Sequence, residues 1–238
     1  MTNFSDNEIL NWAALLKLKA KNSKDRRLYD FYQAGTYCNE TPLSDIEFVA
    51  LDFETTGLDS QQNSIISIGL VPFNLRRIFC RKAKKWYLNP QDKLQENSII
   101  IHGITHSDLQ GAPDLLLILE QLLDELAGKV VVVHYRHIER DFLDHALRLL
   151  INEGIVFPVI DTMQIEANLQ RAKSQGILSF FKPKHKVSIR LANTRERYNL
   201  PAYAPHDALT DAIATAELLQ AQINYHFSSD TEIRKLWL

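Results

Sequence analysis

Residues 47–57, EFVALDFETTG, hold an apolar, β-branched and aromatic run interrupted at Asp52 and Glu54. Such a run bounded by turn residues reads as a strand, and strand alternation sends the two carboxylates out of the same face of a sheet. Two adjacent acids repel unless something neutralises them. A hard divalent cation such as Mg²⁺ or Mn²⁺ does so best, because it prefers carboxylate and water oxygens. The plainer reading has one acid capping the following turn and the other solvated, and the apolar setting weighs against it.

Outward from this strand, SIISIGLVPF (64–73) and RRIFCRKAKKWYL (76–88) are two further β-rich runs, close enough in sequence to form a meander. The pattern then changes to an amphipathic helix over 113–126, a strand KVVVVH (129–134), a helix over 138–150, a short strand near 157–160 and a long helix from about Ala208. Three strands followed by alternating helix and strand predict an α/β fold, a mixed sheet of about five strands flanked by helices. Upstream, residues 5–34 read as a helical N-terminal extension. Ser5 and Glu8 have capping-box spacing, Ile9, Trp12, Ala13 and Leu16 repeat at helical intervals, and a second piece, KDRRLYDFYQ, stops at Gly35. TYCNETPLSD (36–45) has turn composition, which sets the expected boundaries at 1–45 for the extension and 46–238 for the main domain. The extension's apolar stripe packs on the main domain or forms a dimer surface.

Composition narrows the class. A chain of 238 residues with a formal charge of −2 is not a strongly basic nucleic-acid coat, though a local basic groove beside an acidic site is compatible with it. Two cysteines, Cys38 and Cys80, exclude a disulfide framework and match no zinc or redox spacing, so a cytoplasmic location is expected. The opening MTNFSDNEILNW lacks a signal-peptide pattern, and no apolar stretch reaches membrane-spanning length.

A second acidic element lies in PHDALTDAIATAELL, where His206 and Asp211 are five positions apart and Pro205 marks a chain entering a helix. That offset does not align on a helix face, which puts His206 on the entering loop or first turn and Asp211 on the helix. A loop-borne histidine is free to approach a substrate; His206 and Asp207 read equally well as helix caps.

Taken together, DFETTG (52–57), IHGIT (101–105), a strand ending in histidine before a helix, and H-x-x-x-x-D (206–211) resemble, in that order, the motifs of the DEDDh 3′–5′ exonucleases. That family contains the proofreading epsilon subunit of bacterial DNA polymerase III and ribonuclease T. The resemblance runs from about Phe48 to Tyr225 and implies a ribonuclease-H-like fold. The third motif departs from the family, which has H-N-x-x-F-D where this chain reads HYRHIERDFL. Ungapped, the family aspartate falls on Glu139, and Asp141 competes with it. Helical spacing groups Glu139 with Phe142, Leu143 and Ala146, and Asp141 with Asp144, His145 and Arg148, so Glu139 is expected to face the core and to be the ligand.

The resemblance further implies two divalent cations, Mg²⁺ or Mn²⁺, held by Asp52, Glu54, Glu139 and Asp211, with His206 as general base. It also implies that Thr55 and Thr56 hold the terminal nucleotide and that His102 lies beside the 3′ end. The expected substrate is the 3′ end of single-stranded nucleic acid, DNA before RNA, with nucleoside monophosphates released. A replication or repair partner is a further expectation. The competing class is an inactive relative that serves as an interaction module, with Glu139 the feature in its favour.

Other features read two ways. Arg81, Lys82, Lys84 and Lys85 form a phosphate-binding strand or a lysine-protected sheet edge. Phe180, Phe181, Lys182, Lys184 and Lys186 guide a single strand or belong to a surface loop, and QGILSFF loosely resembles sliding-clamp-binding peptides. His134, His137, Asp144 and His145 are expected in solvated or capping roles.

Overall fold

A computed structural model describes residues 11–90, 104–174 and 187–238. The Ser5–Glu8 capping box, His102 and the 175–186 segment with its aromatic, basic and clamp-like residues lie outside the described residues.

Five strands form one mixed sheet: β1 (Phe48–Thr55), β2 (Ile65–Phe73), β3 (Lys84–Tyr87), β4 (Val130–Val133) and β5 (Val159–Asp161), in the order β3-β2-β1-β4-β5. The meander is antiparallel, whereas β4 and β5 join parallel to β1. Parallel joins require crossovers, and the intervening helices supply them. The helices are α1 (Trp12–Asn22), α2 (Arg26–Gln33), α3 (His106–Leu109), α4 (Leu115–Leu126), α5 (His137–Ile151), α6 (Thr162–Ser174), α7 (Leu191–Arg197) and α8 (Ala208–His226). β1, β2 and β4 are buried along nearly their whole length, as central strands covered on both faces must be.

The third β-rich run yields only a four-residue strand, because a 3₁₀ turn occupies Cys80–Lys82. Helices α6 and α7 were not anticipated. In α6 the apolar positions are few, so periodicity gave no signal, and α7 is only seven residues long.

The extension breaks into two helices at Ser23–Asp25, where the Asp25 carboxylate accepts from the Arg27 amide and starts α2. Trp12, Leu16, Ala20, Leu28, Phe31 and Tyr32 are buried in the same apolar cluster as the sheet. Residues 36–45 do more than connect. The amides of Leu43 and Ser44 donate to the carbonyls of Thr231 and Ser229, those of Ile233 and Arg234 to Thr41 and Asn39, and Leu238 pairs with Val159 on the β5 edge. Residues 39–44 and the C-terminal segment are thus zipped together, and Leu238 ties that segment to the sheet edge.

Candidate metal and catalytic site

The site forms where β1 meets the first turn of α8. Asp52 is opposite Gly69 across the antiparallel β1–β2 pair. A Cβ on Gly69 would stand 2.2 Å from the Ala208 carbonyl carbon, far inside contact distance, so only glycine lets α8 lie this close to the strand. The Asp207 side chain accepts from the Thr210 amide and caps the helix. One turn in, Asp211 is carried onto the face from which Asp52 and Glu54 project.

Ligand oxygens of Asp52, Glu54 and Asp211 all lie within 4.8 Å of one another. Asp52 is half-buried, while Glu54 and Asp211 are buried. Glu139, on the first turn of α5, is 1 % exposed, and its Oε2 has no hydrogen-bond partner. It lies outside the set of three whose oxygens fall within 4.8 Å of one another, though among the charged groups it has the largest influence on Asp52. Asp141, by contrast, is exposed and pairs with His137 at 3.2 Å.

These carboxylates strain against one another. Burial, then Glu139, Asp211 and Glu54, pushes the Asp52 carboxyl well above the ordinary range. Glu139 is raised by its own burial and by Asp161 and Glu54. Asp211 is raised by burial and Glu54, against the opposing hydrogen bonds from the Tyr203 hydroxyl and the His206 amide. Without a counter-charge the cluster therefore holds protons that isolated carboxyls would release. Three converging carboxylates, with the buried, unpartnered Glu139 Oε2 nearby, fit a hard divalent cation.

His206 is exposed on the loop before α8 with a left-handed backbone, φ 72°. Its amide donates to Asp211 Oδ2 at 2.7 Å, so the carboxylate cradles the loop that carries the imidazole. Asp207, its neighbour, caps α8 and is paired with Lys85. Lys84 pairs with Glu125 at 3.0 Å, so two of the four basic residues of that edge are engaged in ion pairs.

Thr55 ends β1 and Thr56 opens the turn that follows; both are buried. Thr55 Oγ1 donates to the Gly57 carbonyl at 2.5 Å, and Thr56 Oγ1 accepts from the Ser64 amide at 2.9 Å. Their hydroxyls shape the turn. Leu58, 86 % exposed, projects from it.

Asp161, which the sequence does not single out, and His134, for which it suggests another role, fix the Glu139 side. Buried Asp161 accepts from the amides of Tyr135 and Arg136 ahead of α5 and from those of Met163 and Gln164 at the start of α6. His134, expected to be solvated or capping, is instead an internal bridge. Its ring nitrogens meet Thr162 Oγ1 at 2.8 Å and the Ile189 carbonyl at 3.0 Å, and burial pushes its pKa down to about 4. A histidine at a strand end gives no sequence signal of this role.

A ribonuclease-H-like mixed sheet bearing a carboxylate cluster where its central strand meets a helix start defines a class, the metal-dependent nucleases of this fold. The sequence pattern of the exonuclease family matches residues 49–219. The DNA polymerase III subunit epsilon of Treponema pallidum is 28% identical over 181 residues, covering 76% of this chain and 78% of that protein. The PolC-type DNA polymerase III of Thermotoga maritima is 27% identical over 180 residues, 76% of this chain, but these span only 12% of that much longer relative. Among solved structures, the nuclease domain of 3′hExo, a DEDDh family member bound to rAMP, shares the fold with a TM-score of 0.60 at 17% identity, covering 76% of this chain and 92% of that one. The chain belongs to the DEDDh 3′–5′ exonuclease family. Among the described residues no helix is long and apolar enough to cross a membrane.

Proposed function

We propose that the protein is a metal-dependent 3′–5′ exonuclease that removes nucleoside monophosphates from the 3′ end of single-stranded nucleic acid, with DNA preferred. The observation that carries this reading is the convergence of Asp52, Glu54 and Asp211 within 4.8 Å, with Glu139 buried beside them.

In this reading Asp52, Glu54, Glu139 and Asp211 hold two divalent cations, Mg²⁺ or Mn²⁺. When bound, the cations supply charge stabilisation for the phosphoryl oxygens and the departing 3′ oxygen. By the family resemblance, Asp52 would contribute to both cation positions. Glu139 is one methylene longer than aspartate, is buried on α5 beside the three, and has an Oε2 that no hydrogen bond engages, so in this reading it would complete the donor set.

His206 takes the proton from the attacking water. An imidazole is suited to this because its ordinary pKa lies near neutrality, and the exposed loop lets it approach a phosphodiester from solvent. Asp211 keeps that loop registered through the His206 amide. Thr55 ends β1 directly after Glu54 and Thr56 opens the turn; in this reading their backbone lines the terminal nucleotide, and exposed Leu58 offers an apolar surface to a base. His102 is assigned to the same 3′ end by family pattern alone.

The similarity to the DNA polymerase III subunit epsilon of Treponema pallidum supports a partner in replication or repair as part of this proposal. The test of substrate is competition between matched single-stranded DNA and RNA, each with a free or a blocked 3′ end. Faster loss of DNA than RNA, abolished by the block, is expected. Faster loss of RNA would assign the protein to RNA turnover, and cleavage despite the block would overturn the exonuclease reading.

A further inference from the structure

Tyr135 stands at the turn between β4 and α5 in a backbone conformation that tyrosine rarely adopts, φ 90°. Such a conformation is strained for a bulky side chain and persists only where the surroundings hold it. Buried Asp161 is the holder. Its Oδ1 accepts from the Tyr135 amide and its Oδ2 from the Arg136 amide, each at 3.1 Å. The amides of Met163 and Gln164 fix Oδ1 in turn from the start of α6. What the strained backbone presents is an aromatic ring, 45 % exposed, with the exposed His137 imidazole beside it at 5.3 Å between centroids.

We propose that Tyr135 is a specificity-determining residue, a platform on which an unpaired base of the single-stranded substrate stacks. The inference rests on the exonuclease reading above and adds to it a contact with the bases, which the acidic residues do not make.

Topology puts the ring at the right edge. β1 and β4 are adjacent and parallel, with Ala50 opposite Val132, so both deliver the chain to the same end of the sheet. Beyond that pair β1 reaches Asp52 and Glu54, while β4 leads to Tyr135 and then to Glu139 in the first turn of α5. The carboxyl ends of parallel strands are where sheets of this class bind ligands. Packing does not account for tyrosine here, because among the described residues it belongs to no apolar cluster of the core. Backbone geometry does not account for it either, since glycine or asparagine meets a positive φ with less strain. The family motif has asparagine after the histidine, and this chain has exchanged it for an exposed aromatic ring. Every base has a π face, so one such ring serves a single strand of any sequence.

The experiment measures kcat and KM in Mn²⁺ on a single-stranded oligonucleotide and on a series in which one nucleotide lacking its base is moved stepwise from the 3′ end. It compares the full chain with Tyr135→Phe, which keeps the ring, and Tyr135→Gly, which removes it where glycine is at ease. On the intact oligonucleotide Tyr135→Gly is expected to raise KM by about tenfold, within the range of one lost stacked base, with kcat little changed. Tyr135→Phe should retain the affinity that the glycine variant loses. The unmodified chain should lose a similar factor when the missing base falls at one position of the series, and on that oligonucleotide the glycine variant should match it. An unchanged KM for Tyr135→Gly, or an equal rise on every oligonucleotide, overturns the platform. If Tyr135→Gly does not fold, Tyr135→Asn decides by the same comparison, because asparagine accepts a positive φ and has no ring. An unmodified chain that shortens no oligonucleotide overturns the exonuclease reading, and this role with it.

Discussion

The amide of His206 donates to Oδ2 of Asp211 at 2.7 Å, so the residue assigned to proton transfer and a residue assigned to metal binding are joined by one hydrogen bond across five positions of chain. Their side chains nevertheless do separable work, and substitution should separate them. His206→Ala keeps the backbone amide and every carboxylate. It is expected to lower kcat by about 10²–10⁴-fold while leaving Mn²⁺-dependent stabilisation intact. Asp211→Ala should abolish both, as read by thermal shift and single-turnover cleavage.

Glu139 and Asp141 lie two positions apart on α5 and face opposite ways, one 1 % exposed against the cluster and the other exposed beside His137. Glu139→Gln is expected to abolish activity, whereas Asp141→Asn should leave it unchanged and shift stability by no more than about 0.5 kcal/mol. Equal loss in both variants would show that the third motif is read in the wrong register.

The acidic cluster makes metal-free stability depend on pH. Asp52, Glu139 and Asp211 all have raised carboxyl pKa values in the folded protein, for reasons of burial and mutual repulsion. Near an unfolded-state pKa of about 4 the folded protein begins to hold protons that the unfolded chain gives up, so this contribution favours the fold at acid pH. It is lost as pH rises through the folded-state values. In chelator, Asp52→Asn should therefore raise the melting temperature at neutral pH, by about 2–4 °C per kcal/mol of relieved repulsion. With Mn²⁺ the sign should reverse, because the unmodified chain then gains a ligand that the variant binds poorly.

Gly69 tests the placement of α8. Its missing Cβ is what lets Ala208 approach β2 opposite Asp52. Gly69→Ala should displace the helix start, cost about 1–3 kcal/mol through overpacking, and reduce Mn²⁺ affinity more than a remote core substitution of equal destabilisation does. Urea unfolding combined with the metal titration would distinguish the two effects.

How much of this was legible beforehand depended on periodicity and on motif. The strand bearing Asp52 and Glu54 declared itself because two acids interrupt an apolar run, and Glu139 could be told from Asp141 because a helix repeats at a fixed angle. The element order gave the mixed sheet. Helices α6 and α7 stayed hidden because one has few apolar positions and the other is barely two turns long. Asp161, and the internal role of His134, stayed hidden for a different reason. Their partners lie in other elements or across a folded loop, as with Asp161 meeting Tyr135 and His134 meeting Ile189, and local sequence carries no mark of such meetings. Thr55 and Thr56 enter through the resemblance alone, and their hydroxyl bonds to Gly57 and Ser64 could be read only from the folded chain.

The most direct measurement is the time course of a 5′-labelled single-stranded DNA incubated with the protein in Mn²⁺ or Mg²⁺, beside chelator and Asp52→Ala controls. Stepwise shortening from the 3′ end, with nucleoside monophosphate released and both controls silent, is the predicted result. An unchanged oligonucleotide, with matched RNA unchanged as well, would contradict the account and leave the protein as an interaction module built on an exonuclease fold.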